Sequence, residues 1–273
     1  MSLPKSGKGR IVKSRKLLRI YRELRVSNMN NNRIMALSFD TGGTVLDWHS
    51  SFKKAFSNVG SRHNLECDWA LLANDLRQRS LNMMLKLGEK TPPDKNIDEA
   101  HYIAVNQICE EYNLNVFTQE DRHAIAWESF HNSIVWPDFK KAFLRLRSNY
   151  IVCSHTILSF RLIIDSSRKN NVNWDAVFSC EAIGKYKTLI DSYKKVASWL
   201  ALEPHQICKV ACHTSDLDAA RQAGFVTAFV HRPMEWGAPG PPSLDDVSPK
   251  PDYDVVVNTF QELVKALQAL KLG

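Results

Sequence analysis

The chain has 273 residues, 44% hydrophobic, 24% charged and 10% aromatic, the profile of a globular protein able to bury a sizeable core. That balance excludes whole-chain disorder, collagen and coiled coil, and no apolar run approaches the roughly 18 residues a membrane helix needs. The formal charge of +7 is unevenly spread: residues 1–33 hold ten Lys or Arg against the single acid Glu23, a net of +9, which leaves the other 240 residues slightly acidic at −2.

Residues 1–33 therefore read as a basic N-terminal extension, and three readings stay open. It is an arm that makes phosphate contacts alone, a transit-like segment with Ile11, Leu18 and Arg22 on an amphipathic helix, or a stretch upstream of the true start at Met29. No apolar segment for secretion is seen. The six cysteines (Cys67, Cys109, Cys153, Cys180, Cys208, Cys212) lie mostly inside apolar runs, which suits reduced, buried thiols. The expected compartment is the cytoplasm, or an organelle matrix if the extension is a transit peptide.

Beyond the extension, 34–39 reads as a buried strand ending at Asp40, with a Gly42-Gly43 turn behind it. From 51 to 135 only helical patterns occur, at 69–87, 97–112 and 119–134, and Trp136-Pro137-Asp138 marks the return. Further strands are expected at 149–154, 176–180, 207–212 and 226–230, alternating with helices. A loop with five prolines at 237–251, a short strand at 254–257 and a final helix close the chain. The pattern predicts a doubly wound α/β core of parallel strands, made of 34–50 and 136–273, with an all-helical cap at 51–135 inserted after strand 1.

Function in such a sheet lies at the carboxyl ends of the strands. A lone strand-end aspartate is commonly a turn residue, but Asp40 is followed by Thr41-Gly42-Gly43-Thr44-Val45-Leu46-Asp47. That string resembles the first motif of the haloacid dehalogenase superfamily, and equally the phosphate loop of actin-like sugar kinases. Ser154, Lys187 in Tyr186-Lys187, and Asp216 ahead of an Ala219-Ala220 helix then follow in the order the first family requires. Within it, Leu46-Asp47-x-His49-Ser50, Arg77, Tyr193 and Val230-His231-Arg232-Pro233 resemble the L-specific type II 2-haloacid dehalogenases over essentially 34–270.

The resemblance implies fold, reaction and roles. Asp40 is the nucleophile that forms an ester with the substrate α-carbon. Thr44, Ser154 and Lys187 orient it and keep it ionised. Arg77, His155, Tyr193 and Gly42 bind a short 2-halo carboxylic acid, and His213 with Asp216 directs water onto the ester. No cofactor and no metal are implied, and a homodimer would be usual. Membrane and nucleic-acid partners are not expected of the globular part.

This chain departs from the group at four places. Gly42 and Ser215 replace aromatics, removing two apolar walls, and His155 and His213 replace asparagines. Plainer readings stand beside the roles: Arg77 in Arg77-Gln78-Arg79 as a solvated charge, Lys187 as one of a lysine cluster, His155 as a core imidazole. Cys208 and Cys212, four apart on a strand, share a face and read as core and not as a metal pair. A phosphatase is the nearest alternative, but Gly42 stands where phosphatases carry a second aspartate. An inert scaffold is the other, and the retained set from Asp40 to Asp216 argues against it.

Because the charge division gives the basic extension no part in the fold, deleting residues 1–28 should leave melting temperature and turnover nearly unchanged, as scanning calorimetry and an activity assay would read. A large loss of either would mean the extension packs on the domain.

Overall fold

The computed structural model describes residues 33–85, 95–237, 249–250 and 252–270. The basic extension, the end of the 69–87 pattern and most of the 237–251 loop lie outside the described residues.

Six strands form one parallel sheet: β1 Ala36–Phe39, β2 Ile151–Thr156, β3 Ala176–Ser179, β4 Ile207–Ala211, β5 Val226–Val230 and β6 Val255–Val257. Their order is β3-β2-β1-β4-β5-β6, so the sheet grows outward in both directions from β1 and β4. β1 and β4 are buried at every position, which is why they read as continuous apolar runs instead of alternating ones. Strand order reverses between them, and in doubly wound sheets that is where a crevice opens at the carboxyl ends. Phe39 pairs in register with both Ser154 and Val210, and the Asp40 amide donates to the Val210 carbonyl at 2.9 Å, placing Asp40 at the lip of this crevice.

Between β1 and β2 every regular element among the described residues is helical: Trp48–Arg62, Trp69–Leu85, Ile97–Glu111, Gln119–His123 running through a π-turn at Ala124–Glu128 into Ser129–His131, and Phe139–Arg147. Asp47 caps the first of these by accepting from the Ser50 amide at 3.0 Å, and Asn96 with Glu99 forms a capping box on the third. Phe52, Phe56, Leu76, Ile108 and Phe130 fill the interior of this helical region, and Phe39, Phe139, Phe143, Trp174 and Phe260 stack below the sheet. No helix among the described residues is long and apolar enough to cross a membrane.

The two chain passages between sheet and helices are tied to each other. The Asp47 amide donates to Ile134, the Trp136 amide donates to Val45, and the Trp136 indole N–H reaches the Gly43 carbonyl at 2.7 Å. Asn170, buried on helix Phe160–Asn170, donates from Nδ2 to the Ser133 carbonyl at 2.7 Å and accepts from the Val135 amide at 3.1 Å.

One strand boundary differs from the sequence reading in a way that matters. β2 begins and ends two residues later than 149–154, because the Asn149 and Tyr150 amides still bond to Leu146 at the end of the preceding helix. The strand closes at Thr156, whose hydroxyl accepts from the Leu158 amide at 3.1 Å. Ser154 is thus an interior strand residue.

Asn170→Ala would leave the Val135 amide and the Ser133 carbonyl buried without partners. Each such loss costs about 1 to 3 kcal/mol, so thermal unfolding should show a melting temperature lower by several degrees, and an unchanged value would remove Asn170 as the tie between the two passages.

Candidate active site

Asp40 is 6% exposed, yet it carries three partners. Lys187 Nζ lies 2.7 Å from Oδ1, the Thr44 hydroxyl donates to Oδ2 at 2.6 Å, and His213 Nδ1 lies 3.1 Å from Oδ2. Burial alone would favour the neutral acid. The Lys187 ammonium and His213 outweigh it, with Lys209 adding to them, and hold the carboxyl well below its usual range. Lys187 is in turn raised: burial opposes its charge, but Asp216 and Asp40 more than compensate.

Asp216 sits in the first turn of helix Thr214–Gln222 and does not touch His213 by any hydrogen bond in the structure. Its Oδ2 meets Lys187 Nζ at 2.7 Å and Lys209 Nζ at 3.2 Å, and its Oδ1 accepts from the Tyr193 hydroxyl at 2.6 Å. Tyr193 is fully buried and absent from the pocket wall, so it braces Asp216 instead of facing the pocket.

His213 precedes that helix and is bonded on both ring nitrogens. Nδ1 faces Asp40, and Nε2 lies 2.9 and 3.2 Å from the two oxygens of Glu235. Glu235 is 1% exposed and also accepts from the Trp48 indole N–H at 3.0 Å. Room for it exists because residue 43 is glycine: its φ is +89°, and a Cβ there would lie 1.8 Å from Glu235 Oε1. Burial opposes a charged imidazole, but Cys212, Glu235 and the hydrogen bond to Asp40 prevail, and the ring is raised well above its ordinary value. Burial pushes the Cys212 thiol itself up to about 12, so it is neutral at pH 7 and the two carboxylates are the operative partners.

Arg77 is 2% exposed on helix Trp69–Leu85, contrary to a solvated surface charge. Its guanidinium lies 5.5 Å from the Trp48 ring centroid and 5.6 Å from that of Phe130, and its Nε and Nη1 have no hydrogen-bond partner in the protein. Burial lowers its basicity, with Glu235 and Asp40 opposing that. A Cβ at Gly42 would lie 3.0 Å from Arg77 Nη2, so the missing aromatic is what lets the guanidinium approach the turn after Asp40.

Asp40, Arg77, Lys187, His213 and Asp216 line one pocket together with Thr156, and Leu81, Leu85, Ile157 and Trp236 form its apolar wall. Apolar walls thus come from the helices and from Trp236, not from positions 42 and 215. The pocket is small and offers about 50 Å³ to the centres of water-sized molecules.

Besides Tyr193, the sequence assignments Ser154 and His155 are not brought to the pocket. Ser154 lies one step of the pleat below the strand end, its Oγ buried without a partner, and Thr156 stands at the lip in its place, accepting a hydrogen bond from the Thr41 hydroxyl at 2.7 Å. His155 points to the opposite face, 2.8 Å from the Ser192 hydroxyl and edge-on to Tyr193. Burial, then Lys209 and Lys187, push its basicity far down, so it is neutral and cannot hold an anion by charge.

Besides Thr156, two residues of the site have no assignment in the sequence reading. Lys209 is fully buried in β4, and burial, with Lys187 repelling and Asp216 opposing, lowers it to about 8. Its signal was available, since a lysine inside the apolar run Ile207-Cys208-Lys209-Val210-Ala211 needs a buried partner. Glu235 had no comparable signal in Pro233-Met234-Glu235-Trp236-Gly237. Cys212, His213 and Glu235 bring a thiol, an imidazole and a carboxylate within 4.8 Å, a spacing that an ion could bridge. Each is already engaged by a proton donor or acceptor here, and the thiol would have to surrender a strongly held proton, so the set is read as a hydrogen-bonded triad.

No protein-family model matches the chain, and no curated protein matches it by sequence. Solved structures do match. An L-2-haloacid dehalogenase aligns with a TM-score of 0.76 at 26% identity, over 86% of this chain and 99% of its own. A defluorinating L-2-haloacid dehalogenase aligns at 0.78 and 26%, over 86% and 95%. The L-2-haloacid dehalogenase of Xanthobacter autotrophicus with chloropropionic acid covalently bound aligns at 0.71 and 18%, over 87% and 99%. The fold is therefore the haloacid dehalogenase-like α/β fold that the motifs implied.

Lys187→Met would strand Asp40 as a buried charge without its main counterion, a loss worth about 3 to 5 kcal/mol for broken buried pairs. The sign with pH follows from Asp40. Its folded pKa is depressed by Lys187, so that stabilisation is present at neutral pH and disappears as pH falls and the carboxyl protonates. Denaturant unfolding should therefore show a large penalty for the variant near pH 7 that shrinks toward acid, and a pH-independent penalty would contradict the pairing.

Proposed function

We propose that this chain is a hydrolase that removes halide from the α-carbon of a short 2-halo carboxylic acid, through an ester on Asp40, giving a 2-hydroxy acid. The observation that carries this reading is a buried, ionised Asp40 sharing one small pocket with the unpaired N–H groups of Arg77. An inert scaffold gives no reason to keep an anion and a free cation desolvated together.

In the first step an oxygen of Asp40 displaces halide from the α-carbon. Lys187 and Thr44 hold the carboxylate for in-line attack, and Arg77 supplies the charge that anchors an anion in the pocket, substrate carboxylate or departing halide. Leu81, Leu85, Ile157 and Trp236 keep bulk water from the nucleophile, and the helices of 51–135 serve as the cap that carries Arg77 over the sheet. In the second step water attacks the ester carbonyl, with His213 as base. Displacement and hydrolysis need only water and these ionisable groups, so no cofactor enters. The narrow pocket favours acids of a few carbons. Similarity to L-2-haloacid dehalogenases at 26% identity supports the reaction class.

The test is halide and phosphate release measured over a panel of 2-halo acids and phosphate esters. Halide release from short 2-halo acids, with no phosphate release, is expected. A single turnover in heavy-oxygen water should place the label in Asp40 and not in the first product, and Asp40→Asn should abolish turnover. Label appearing directly in the product would sink the covalent route.

A further inference from the structure

The sequence resemblance left His213 without a partner of its own, apart from a possible one in Asp216. The structure gives it Glu235. We propose that Glu235 is the positioning residue for ester hydrolysis: it holds the proton on His213 Nε2, so that Nδ1 is the atom left bare to take a proton from water beside Asp40. This rests on Asp40 forming an ester as described above.

The groups facing the ring come from three places. Asp40 follows β1, Cys212 follows β4, and Glu235 lies in the segment after β5, with Lys187 beyond Asp40 and Arg77 beyond Glu235. In the resting protein both carboxylates are ionised, and the imidazolium donates one N–H to each. Alkylation of Asp40 removes one of those charges. The Nδ1 proton then loses its charged acceptor and leaves to solvent, while the Nε2 proton stays on the ring, donated to Glu235, which is still an anion.

Water next adds to the ester carbonyl carbon and gives one proton to Nδ1. The bond from that carbon to the alkyl oxygen breaks, the departing oxygen takes the proton of the added hydroxyl, and Asp40 is again a carboxylate facing an imidazolium. The sum is one halide and one proton released per water consumed. The ring therefore changes charge in step with the nucleophile, and Glu235 decides which nitrogen does so. This is the orienting arrangement of carboxylate, base and reacting group that recurs in hydrolases.

Glu235 is itself fixed on the far side. The Trp48 indole N–H holds Oε1, and the Cys212 thiol donates to Oε2 at 3.4 Å. In Glu235→Gln the Trp48 donor fixes the amide oxygen in the place of Oε1, which Nε2 faces at 2.9 Å, and the NH2 takes the place of Oε2 at 3.2 Å. The anion that held the proton on Nε2 is gone, so the ring proton is divided between the two nitrogens and the neutral ring becomes a weaker base at Nδ1.

Glu235→Gln should release a stoichiometric burst of halide, accumulate an Asp40 adduct visible by intact mass spectrometry, and hydrolyse it about 100-fold more slowly, within the range of general-base contributions. With the carboxylate gone, the pH midpoint of residual hydrolysis should move to lower pH, a change that a merely structural residue would not produce. His213→Ala should accumulate the same adduct without that midpoint. Hydrolysis at the wild-type rate with an unshifted profile would overturn the assignment, as would loss of the halide burst in a folded variant.

Nitrogen-15 NMR of His213 in the unaltered protein gives an independent reading that does not need the variant to fold. A doubly protonated ring at neutral pH without substrate, with Nε2–H retained and Nδ1 bare in the trapped ester, is the expected result. A neutral resting ring, or Nδ1–H in the ester, overturns it. If no 2-halo acid yields an ester, the reaction class fails, while the resting-state NMR still decides whether Glu235 holds the Nε2 proton.

Discussion

An ionised carboxylate held out of water at the end of a central strand is the constraint from which the site is built. Transfer of a bare carboxylate into a protein interior is prohibitive, and an unopposed buried acid would protonate. Lys187, Thr44 and His213 prevent this, but a buried ammonium and a buried imidazolium have the same problem. Each therefore has a second anion: Asp216 for Lys187, Glu235 for His213. The alternation continues outward to Lys209 and Tyr193 on one side and to Trp48 on the other. Removing a charged member takes a counterion from its neighbour, which is why the network extends well past Asp40.

Sheet order supplies the geometry. Asp40 follows β1, and His213 and Asp216 follow β4, the two strands between which the sheet reverses its direction of growth. Hydrogen bonding of the Asp40 amide to Val210 sets the height of the carboxylate relative to the end of β4. Two glycines complete the turn for different reasons: Gly42 lets the Arg77 guanidinium come close, and Gly43 both adopts a positive φ and admits Glu235.

What was legible in the sequence follows from this division. Parallel strands buried on both faces are visible as apolar runs, and a strand-end aspartate with glycines behind it marks the crevice, so the sheet, Asp40, Thr44, Lys187 and the helical stretch after β1 could all be read. The edge of β2 could not, because a polar Ser154 looks like a strand end while the helix before it takes up Asn149 and Tyr150. That shift of two residues places Ser154 and His155 inside the strand, His155 on the face away from the pocket, and leaves Thr156 unread at the lip. Glu235 was hidden for another reason. Its meaning arises only from a tertiary contact across 22 residues to His213 and from a vacancy at Gly43, neither of which has a local pattern.

The departures from the L-specific dehalogenases then read as linked and not as separate losses. An asparagine at position 213 would orient water through its amide and stay neutral whatever Asp40 does. A histidine there is buried, and burial alone would strip its proton and leave its tautomer unspecified. Only with an anion on Nε2 does the ring gain a defined state, and that anion fits only where residue 43 has no side chain and Trp48 donates from behind. Likewise an aromatic at position 42 would collide with the guanidinium that stands between the Trp48 and Phe130 rings. Gly42 goes with the placement of Arg77, and His213 goes with Glu235. The pocket has exchanged apolar walls and a neutral amide for charged groups that are each individually costly to bury and are stable there only as pairs.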